Sequence, residues 1–539
     1  MTYNLAALFE RVVQHDPGRE ALVTSSGRLT YGQLDERAAR LGAAMAALGV
    51  GVGDRVGLQL LNGSEYLEGM LAAFKLRAVP ININYRYVER ELVYLFDNAD
   101  LRLLIVHDQF GPMALDAATQ VDGLEHVVLV DDGSNTPRAD GAVDYEEFLA
   151  GAAPTGPAPG RSGDDVYCAY TGGTTGMPKG VLWRHEDIFF AAMGGGDPTT
   201  LEGPISNPEQ LLDRIPEVGG VTLLTPPLMH VSAHWGAFQT LFGGGKIILP
   251  PPGSLDPATV WELVAAEGVN VMVIVGDAMA RPLADHLVRH PRDDIGLLLA
   301  IGSGGAILSA ATRAQLNELL PNVIIVDGYG SSETGVAGSG TGDSSQGGPA
   351  FVMRDDTSVL DDDLKPVEPG SGTIGRVARR GHVPLGYHKD ESKTAATFVE
   401  VDGQRWVLPG DMAMVTEAGE IVLLGRGSGS INTGGEKVFP EEVEAALKSN
   451  PAIFDALVVG VSDERWGQRV VALVEARPGV QLSVDEVRAH SRTELAGYKV
   501  PRDVILVDHV ARGPNGKPDY GWAKRHAERT LAPTEGAEP

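Results

Sequence analysis

Cysteine is almost absent from this chain of 539 residues, which contains only Cys168. A single cysteine cannot form an internal disulfide, and a chain of this length can bury a core that needs none. The composition is therefore typical of a reducing compartment, and we expect a cytoplasmic protein. Cys168 lies in the strand-like string VYCAY, so we interpret it as a small buried hydrophobe rather than a nucleophile.

Long hydrophobic runs are also missing. No stretch approaches the roughly 18 uninterrupted apolar residues that a membrane-spanning helix requires. The first residues lack the basic segment of a secretory signal, and Glu10 and Arg11 interrupt their apolar pattern. Leu5, Leu8 and Phe9 instead mark one face of an amphipathic helix. We expect no integral membrane segment.

Positive charge is scarce, with 44 Lys and Arg against 72 Asp and Glu and a formal net charge of −28. The field of such a molecule repels the phosphates of nucleic acids and of anionic lipids. We therefore expect no nucleic acid partner, and an anionic substrate must be met by local cations. The composition leaves a homodimer open.

What is present indicates a soluble folded protein with more than one domain, since 43% of the residues are hydrophobic and 22% are charged. Helical and strand patterns alternate from the start, which predicts an α/β fold. Thr30 and Gln33 form a candidate capping box at the start of a helix. Between Gly194 and Gly220 the chain contains many helix and strand breakers, which predicts either an active-site lid or a passive surface insertion.

After about Leu424 the pattern changes to a compact series of helices and strands. Glu441 to Lys448 is predicted to be a helix, strands are predicted from Ala456, Val470 and Val504, and Ser483 with Glu486 forms a second capping box. We place a domain boundary here, which gives domains of residues 1–424 and 425–539.

The string YTGGTTGMPKG follows the predicted strand VYCAY. Its glycines allow sharp turns that present backbone N–H groups, its threonines add hydroxyl donors, and its lysine adds a positive charge, all of which suit phosphate oxygens. It is not a Walker A loop, because Met177 and Pro178 separate Gly176 from Lys179. On spacing alone, a generic turn rich in Gly and Thr remains an alternative.

Two further strings, GSGGAIL and DGYGSSET, follow the apolar runs LLLA and VIIV, which we interpret as buried strands ending in loops. Ligands in α/β sheets bind outside the carboxyl ends of strands. Glu333, in the second string, suits Mg²⁺, which needs one or two carboxylates beside substrate phosphates. A lone glutamate in such a place is more often a solvated or helix-capping residue.

Three more side chains could take part in binding or catalysis. Asp411 in WVLPGDMA could accept hydrogen bonds from a vicinal diol, or it could cap a turn. Lys517 in GPNGKPDY lies on a turn that can project a cation, although such lysines are usually only solvated. His230 in PPLMHV could equally be a core histidine, and a zinc site with His234 is disfavoured because no other ligand cluster accompanies the pair.

Taken in order, these strings resemble the adenylate-forming superfamily, which includes acyl-CoA synthetases, peptide synthetase adenylation domains and firefly luciferase. The resemblance extends over nearly the whole chain. It implies an α/β protein with a large N-terminal domain of several subdomains and a small, mobile α+β C-terminal domain. It also implies ATP, Mg²⁺ and coenzyme A as cofactors and a carboxylic acid as substrate.

The resemblance assigns a role to each candidate residue. Lys517 is the implied catalytic lysine, Glu333 the magnesium ligand, and His230 the gate of the acyl pocket. Asp411 would bind the ribose hydroxyls and Arg426 a ribose or phosphate oxygen. The remaining implied contacts are Thr171, Gly172, Gly173, Thr174, Thr175, Gly176 and Lys179 to phosphate; Ser303, Gly304, Gly305, Asp327, Gly328, Tyr329, Gly330 and Ser332 to adenine and its surroundings; and Gly434, Gly435 and Glu436 to the thioester-forming site. Within the adenine group, Tyr329 would stack on the base and Asp327 would meet its amino group.

The sequence departs from the family pattern at two places. Pro409 replaces the usual threonine before Asp411, which leaves that threonine's contact without a counterpart. Ser428 stands where the family usually has an aspartate or lysine hinge, so the pivot of the small domain does not follow from the sequence. The flanking glycines can supply the torsional freedom themselves.

The implied activity is formation of an acyl-adenylate and then of an acyl-CoA thioester. Small residues after Glu333 (Gly335, Ala337, Gly338) suggest room for a bulky apolar acid. The Gly194 to Gly220 insertion, WRHEDIF and RGSGSINTGGEKVFPEEVE resemble actinobacterial synthetases for steroid side-chain or other bulky acids. A medium- or long-chain fatty acid is the alternative substrate, a carrier protein is an alternative acceptor, and a non-catalytic nucleotide-binding protein is the alternative function.

Overall fold

The computed structural model describes residues 2–138, 142–154, 156–173, 176–197, 202–341, 350–433, 436–463, 465–513 and 517–531. Short 3-10 turns cover Asp108–Phe110, Gly194–Gly196, Pro208–Arg214 and Gly427–Gly429. The helices, in chain order, are α1 (Leu5–His15), α2 (Tyr31–Ala47), α3 (Ser64–Leu76), α4 (Glu89–Asn98), α5 (Gly111–Ala118), α6 (Tyr145–Ala150), α7 (His185–Ala192), α8 (Val231–Phe242), α9 (Pro257–Glu267), α10 (Gly276–Arg289), α11 (Ala310–Leu319), α12 (Glu391–Thr397), α13 (Pro440–Lys448), α14 (Val484–Glu494) and α15 (Tyr520–Leu531).

The strands are β1 (Glu20–Thr24), β2 (Gly27–Thr30), β3 (Arg55–Gln59), β4 (Val79–Asn82), β5 (Leu101–His107), β6 (His126–Val130), β7 (Val143–Asp144), β8 (Val166–Gly173), β9 (Gly176–Arg184), β10 (Val221–Leu224), β11 (Lys246–Ile248), β12 (Val271–Ile274), β13 (Ala300–Gly304), β14 (Ile324–Ser331), β15 (Gly335–Gly340), β16 (Ala350–Met353), β17 (Thr357–Leu360), β18 (Gly375–Arg380), β19 (Gly386–Tyr387), β20 (Phe398–Val401), β21 (Gln404–Val407), β22 (Asp411–Val415), β23 (Glu420–Arg426), β24 (Ile431–Thr433), β25 (Glu436–Val438), β26 (Ile453–Asp463), β27 (Gly467–Ala476) and β28 (Asp503–Val507).

The N-terminal part is built on three sheets. One five-stranded sheet is parallel, in the order β4-β3-β5-β6-β7. The largest sheet runs β2-β1-β11-β10-β12-β13-β14-β15-β16-β23-β22-β18-β21-β20, with β17 paired to β18, and its strands from β11 to β14 are parallel. The antiparallel sheet β19-β9-β8 shares a buried core with α1, α2, α3 and α8. Trp183 on β9 is fully buried in this core, which fixes the hairpin that carries the predicted phosphate loop.

The C-terminal part has its own sheet, β25-β24-β27-β26, with β28 parallel to β27. Helices α13 and α14 pack on one apolar cluster of this sheet and α15 on another. Gly425 and Arg426 are the last residues of β23 in the large sheet, and the first strand of the small sheet begins at Ile431. The boundary that we placed at residue 425 stays a prediction.

Many local predictions are confirmed. The amphipathic N-terminal helix is α1. Both predicted capping boxes form their two reciprocal hydrogen bonds, between Thr30 and Gln33 and between Ser483 and Glu486. The helix expected from Glu441 begins one residue earlier, at Pro440. No helix in the part of the chain that the structure describes has the length and apolar character needed to cross a bilayer.

The interpretation of LLLA as a buried strand is wrong. Leu297 and Leu299 are 63% and 59% exposed, and strand β13 begins only at Ala300. The run VIIV does enter β14, but its Ile324 is 60% exposed because it lies at the rim of the sheet. Both apolar runs lead into a strand, but β13 begins only at the last residue of LLLA, and of its three leucines only Leu298 is buried. The Gly194 to Gly220 segment, rich in helix and strand breakers, contains two 3-10 turns, and its residues 198–201 lie outside the described part.

Candidate active site

The predicted phosphate loop is the tip of the hairpin formed by β8 and β9. Thr171 lies opposite Lys179 and Gly173 opposite Gly176, with Gly172 between the paired residues of β8. Thr174 and Thr175, at the turn itself, lie outside the described residues. The hairpin extends the predicted strand VYCAY to Gly173, so Gly172 and Gly173, which we predicted to bind phosphate, lie at a strand end.

Lys179 already has an anionic partner. Its Nζ lies 2.5 Å from Oδ2 of Asp390, the residue that caps the N-terminus of α12. The hydrogen bond from Lys179 is the main cause that lowers the pKa of Asp390 to about 2. The lysine charge is therefore compensated, and Lys179 must leave or share this ion pair to bind phosphate.

The two predicted adenine-binding segments lie side by side. Ser303 and Gly304 at the end of β13 pair with Asp327 and Gly328 of β14 in parallel register. Gly305 follows with φ +80°, a conformation that favours glycine. The sequence had suggested loops here, whereas the structure continues both segments as adjoining strand ends.

Asp327 does not point to open solvent, because it forms a buried ion pair with Arg313. The same guanidinium donates to the carbonyl of Ile325 at 3.1 Å. The carboxylate is thus positioned by the protein itself. Its contact with the adenine amino group stays a prediction.

Tyr329, Asp411 and Arg426 form a connected group across three strands. The Tyr329 hydroxyl donates to Oδ2 of Asp411 at 2.9 Å, and Arg426 Nε lies 3.3 Å from Oδ1 of the same carboxylate. Asp411 and Arg426 are register partners at the ends of β22 and β23. Burial opposes the charge of Arg426, but the carboxylates of Asp411 and Glu333 outweigh it and raise the pKa of the guanidinium. The group fits the expected ribose site, since its acceptor is fixed and charged.

Glu333 is positioned by a tyrosine that the sequence did not single out. The Tyr387 hydroxyl donates to Oε1 of Glu333 at 2.8 Å. Burial, followed by the Glu333 charge, raises the pKa of Tyr387, so the phenol remains a donor. Among the described residues no cluster of three or more His, Cys, Asp or Glu could hold a metal ion. A single fixed carboxylate does fit Mg²⁺ that takes its other ligands from nucleotide phosphates and water.

The Lys517 carbonyl accepts a hydrogen bond from the Gly513 N–H at 2.8 Å. The residue is exposed, yet protein atoms around its ammonium group lower its pKa, mainly by desolvation and then through Arg426. Glu333 and Asp411 act in the opposite direction. These interactions place the lysine of the small domain among the charged residues of the large one.

His230 caps the N-terminus of α8, and its Nε2 is buried without a hydrogen-bond partner. Burial, then the charges of Lys517 and Arg86, lower its pKa to about 4. A neutral histidine with a buried, unpaired nitrogen fits the wall of a ligand site better than a satisfied core position. His234 is different, because its ring lies between the hydroxyls of Tyr167 (3.0 Å) and Tyr66 (3.3 Å).

The remaining candidate residues lie as follows. Glu436 opens β25 opposite Thr433, and Gly434 and Gly435 are outside the described residues. Ser332 contributes its carbonyl oxygen, which accepts from Trp183 Nε1 at 2.9 Å. Gly330 lies where β14 and β15 shift register, against the carbonyl of Gly335. Cys168 is buried as expected, and burial raises the pKa of its thiol to about 12.

The β8–β9 hairpin, the paired ends of β13 and β14, the carboxylates of Asp411 and Glu333, and Lys517 are the features expected of an adenylate-forming enzyme. Their contacts with ligands stay predictions. Residues 9–388 match the AMP-binding enzyme family, and residues 442–517 match the AMP-binding enzyme C-terminal domain. The chain belongs to this family. The predicted fold, with its large N-terminal and small C-terminal domains, is thereby confirmed.

Two relatives cover almost the whole chain. A 3-oxocholest-4-en-26-oate–CoA ligase of Rhodococcus rhodochrous is 46% identical over 533 residues, 97% of this chain and 96% of the relative. A medium/long-chain-fatty-acid–CoA/3-oxocholest-4-en-26-oate–CoA ligase of Mycolicibacterium smegmatis is 44% identical over 544 residues, 99% and 98% of the two chains.

The crystal structure of an anthranilate CoA ligase with anthranoyl-AMP has the same fold, with a TM-score of 0.85 at 24% identity, over 99% of this chain and 98% of that one. The predictions of an AMP-forming acyl-CoA synthetase, an acid–thiol ligase, and of ATP, Mg²⁺ and CoA as its cofactors are confirmed by family and relatives together.

Proposed function

We propose that this synthetase activates a bulky, largely apolar carboxylic acid. A steroid side-chain acid is the first candidate and a medium- or long-chain fatty acid the second. The observation that carries the proposal is the 46% identity, over 97% of the chain, to a ligase named for a steroid side-chain acid. The fatty acid candidate rests on the similarly extensive match to a ligase named for both kinds of acid.

The small residues after Glu333 support the proposal less than the sequence suggested. A Cβ on Gly335 would lie 2.8 Å from the carbonyl oxygen of Ala191, and one on Gly338 would lie 2.9 Å from that of Val352. Both glycines are therefore required for close backbone packing. Their small size is therefore no evidence for a large acyl pocket.

In the first half-reaction a carboxylate oxygen of the acid attacks the α-phosphorus of ATP, forming acyl-AMP as the bond to pyrophosphate breaks. Negative charge spreads over the phosphate oxygens, and fixed cations and N–H donors stabilise it. Lys517 and the β8–β9 hairpin would supply them, while Asp411 would hold the ribose. Glu333 would hold Mg²⁺, which neutralises phosphate charge when bound.

In the second half-reaction the CoA thiolate attacks the acyl carbon, and AMP leaves with the electron pair of the acyl–oxygen bond. The family resemblance implies that the small domain rotates before this attack, withdrawing Lys517 and bringing in the Gly434 to Glu436 loop. We propose the Gly427–Gly429 segment as the pivot. In the structure Gly427–Gly429 is a 3-10 turn held by the Gly427 N–H, which donates to the Gly410 carbonyl at 3.0 Å. A short glycine-flanked turn can absorb such a rotation.

The decisive experiment is pyrophosphate release with ATP, Mg²⁺, CoA and an acid panel, with acyl-CoA and AMP identified by mass spectrometry. The panel contains 3-oxocholest-4-en-26-oate, fatty acids of increasing length and a benzoate, with a control reaction that lacks acid. We expect kcat/KM to be highest for the steroid acid or for the longer fatty acids. A preference for benzoate would contradict the substrate class, and no pyrophosphate with any acid would favour a nucleotide-binding protein without turnover.

Replacing CoA by a phosphopantetheinylated carrier protein in the same assay tests the acceptor, for which we propose free CoA. Two further parts of the proposal rest on the sequence: the cytoplasmic location, from the single cysteine, and a homodimer as the alternative to a monomer. Sedimentation of the purified chain decides the oligomeric state.

A further inference from the structure

We infer that Asn82 is a positioning residue. It fixes the β8–β9 hairpin relative to the turn that precedes α8 and ends at His230 (residues 226–230). Asn82 is the last residue of β4 and is only 5% exposed. Its side chain accepts from the Tyr170 N–H at 2.8 Å and donates to the Tyr170 carbonyl at 2.8 Å. The same amide nitrogen donates to the carbonyl of Met229 at 2.9 Å.

These three bonds join segments that are far apart in the sequence and carry different parts of the site. Tyr170 immediately precedes Thr171, the first residue of the phosphate loop. Met229 immediately precedes His230, at the proposed mouth of the acyl pocket. One buried amide therefore binds the backbone of Tyr170, next to the proposed ATP-binding residues, and the backbone of Met229, next to the proposed acid-binding residue.

The amide group suits this task because it presents one acceptor and two donors in a plane. An aspartate would place a carboxylate oxygen against two carbonyl oxygens, and an alanine would leave the Tyr170 N–H and both carbonyls without their partner. Buried backbone groups without partners cost free energy and shift to find new ones. Either change would alter the relative position of the two segments.

The relative position matters for the reaction because the acid carboxylate must meet the α-phosphorus of ATP at close range and in line. A displacement of about 1 Å can cost roughly a hundredfold in rate. The inference rests on the proposed function in that it assigns these segments to ATP and acid. It adds a residue that contacts neither substrate in the proposed scheme and acts only through the backbone of others.

The chain offers a matched control in Asn62. Its side chain accepts from the Leu228 N–H at 2.7 Å and donates to the Pro226 carbonyl at 3.3 Å, so it holds the same turn. Among the described residues, both of these hydrogen-bond partners belong to that turn, whereas those of Asn82 belong to the turn and to the hairpin. Asn62→Ala therefore loosens the turn alone, whereas Asn82→Ala uncouples the turn from the phosphate hairpin.

The experiment compares wild type, Asn82→Ala and Asn62→Ala in three measurements: ATP affinity by calorimetry, acyl-AMP formation by pyrophosphate release, and thioester formation from presynthesised acyl-AMP. For Asn82→Ala we expect ATP Kd to rise about tenfold and acyl-AMP formation to fall tenfold to a hundredfold. Thioester formation should stay within about twofold. Asn62→Ala should keep ATP affinity within about twofold.

Thermal unfolding of both variants separates positioning from loss of fold. If Asn82→Ala is too unstable to assay at 25 °C, the three measurements are made on Asn82→Ser, which keeps a small hydrogen-bonding group. Equal losses in both half-reactions, unchanged ATP affinity, or the same ATP defect in Asn62→Ala would overturn the inference. Because ATP affinity is measured without an acid, a wild type that activates no acid refutes the proposed function but still tests Asn82.

Discussion

Replacing Lys517 by alanine should separate the two half-reactions. The ammonium group of Lys517, in the small domain, interacts electrostatically with Arg426, Glu333 and Asp411, and desolvation by its surroundings lowers its pKa. A cation in such a site interacts more strongly with developing phosphate charge than it would in water. Its removal should therefore affect the step in which that charge develops.

The expected magnitude follows from comparable preorganised groups. Loss of one such donor costs about a hundredfold to a thousandfold in rate, roughly 2.7–4 kcal/mol. We place Lys517→Ala in this range for acyl-AMP formation. Thioester formation does not need the lysine if the small domain has turned, and it should change by less than about threefold.

The assay measures both half-reactions with the same enzyme preparation. Acyl-AMP formation is followed by pyrophosphate release, and thioester formation by mixing presynthesised acyl-AMP with CoA. Lys524, an exposed lysine on α15, provides the control, since Lys524→Ala removes the same charge from the same domain. Equal losses of both half-reactions in Lys517→Ala, or an equal adenylation loss in Lys524→Ala, would refute the reasoning.

Two further changes test the site around the nucleotide. Tyr387→Phe removes the hydroxyl that donates to Glu333. We therefore expect the rate of acyl-AMP formation to fall about fivefold and the Mg²⁺ concentration for half-maximal rate to rise. The control is Tyr145→Phe, which breaks the hydrogen bond from Tyr145 to Glu68 and should change neither quantity. Gly330→Ala would bring a Cβ to 2.0 Å from the Gly335 carbonyl oxygen, whereas at Gly304 the nearest atom is 3.4 Å away. Urea unfolding should show a loss of about 1–3 kcal/mol for Gly330→Ala and less than about 1 kcal/mol for Gly304→Ala, and similar values for the two variants would contradict this packing argument.

Local patterns predicted much of the fold. The first helix, both capping boxes and the strands of the small domain followed from hydrophobic spacing and cap residues, because those signals act over a few neighbouring positions. The run LLLA misled because Leu297 and Leu299 are as apolar as strand residues but lie before the sheet begins. Burial depends on neighbouring strands, which a local pattern does not contain.

The partners of the site residues could not be predicted in the same way. Glu333 is held by a tyrosine 54 positions away, and Lys179 by an aspartate 211 positions away. Asn82 reaches partners 88 and 147 positions along the chain. The family resemblance named residues that would touch substrates, but it contained no information about the residues that position them. Such contacts follow only from the folded arrangement of the sheets.

The contact between the two domains also depends on three-dimensional structure, and its chemistry favours a domain that can move. Arg281 on α10 packs over the ring of Phe454 on β26, with its guanidinium carbon 5.3 Å from the ring centre. The residues that form its ion pair and hydrogen bonds, Asp277 at 3.1 Å, Thr312 at 3.0 Å and Ser309 at 3.4 Å, belong to the large domain. A cation–π contact contributes about 0.5–2 kcal/mol, and breaking it here leaves the arginine with its own ion pair. The proposed withdrawal of Lys517 between the half-reactions would therefore break this contact without removing the ion-pair partner of Arg281.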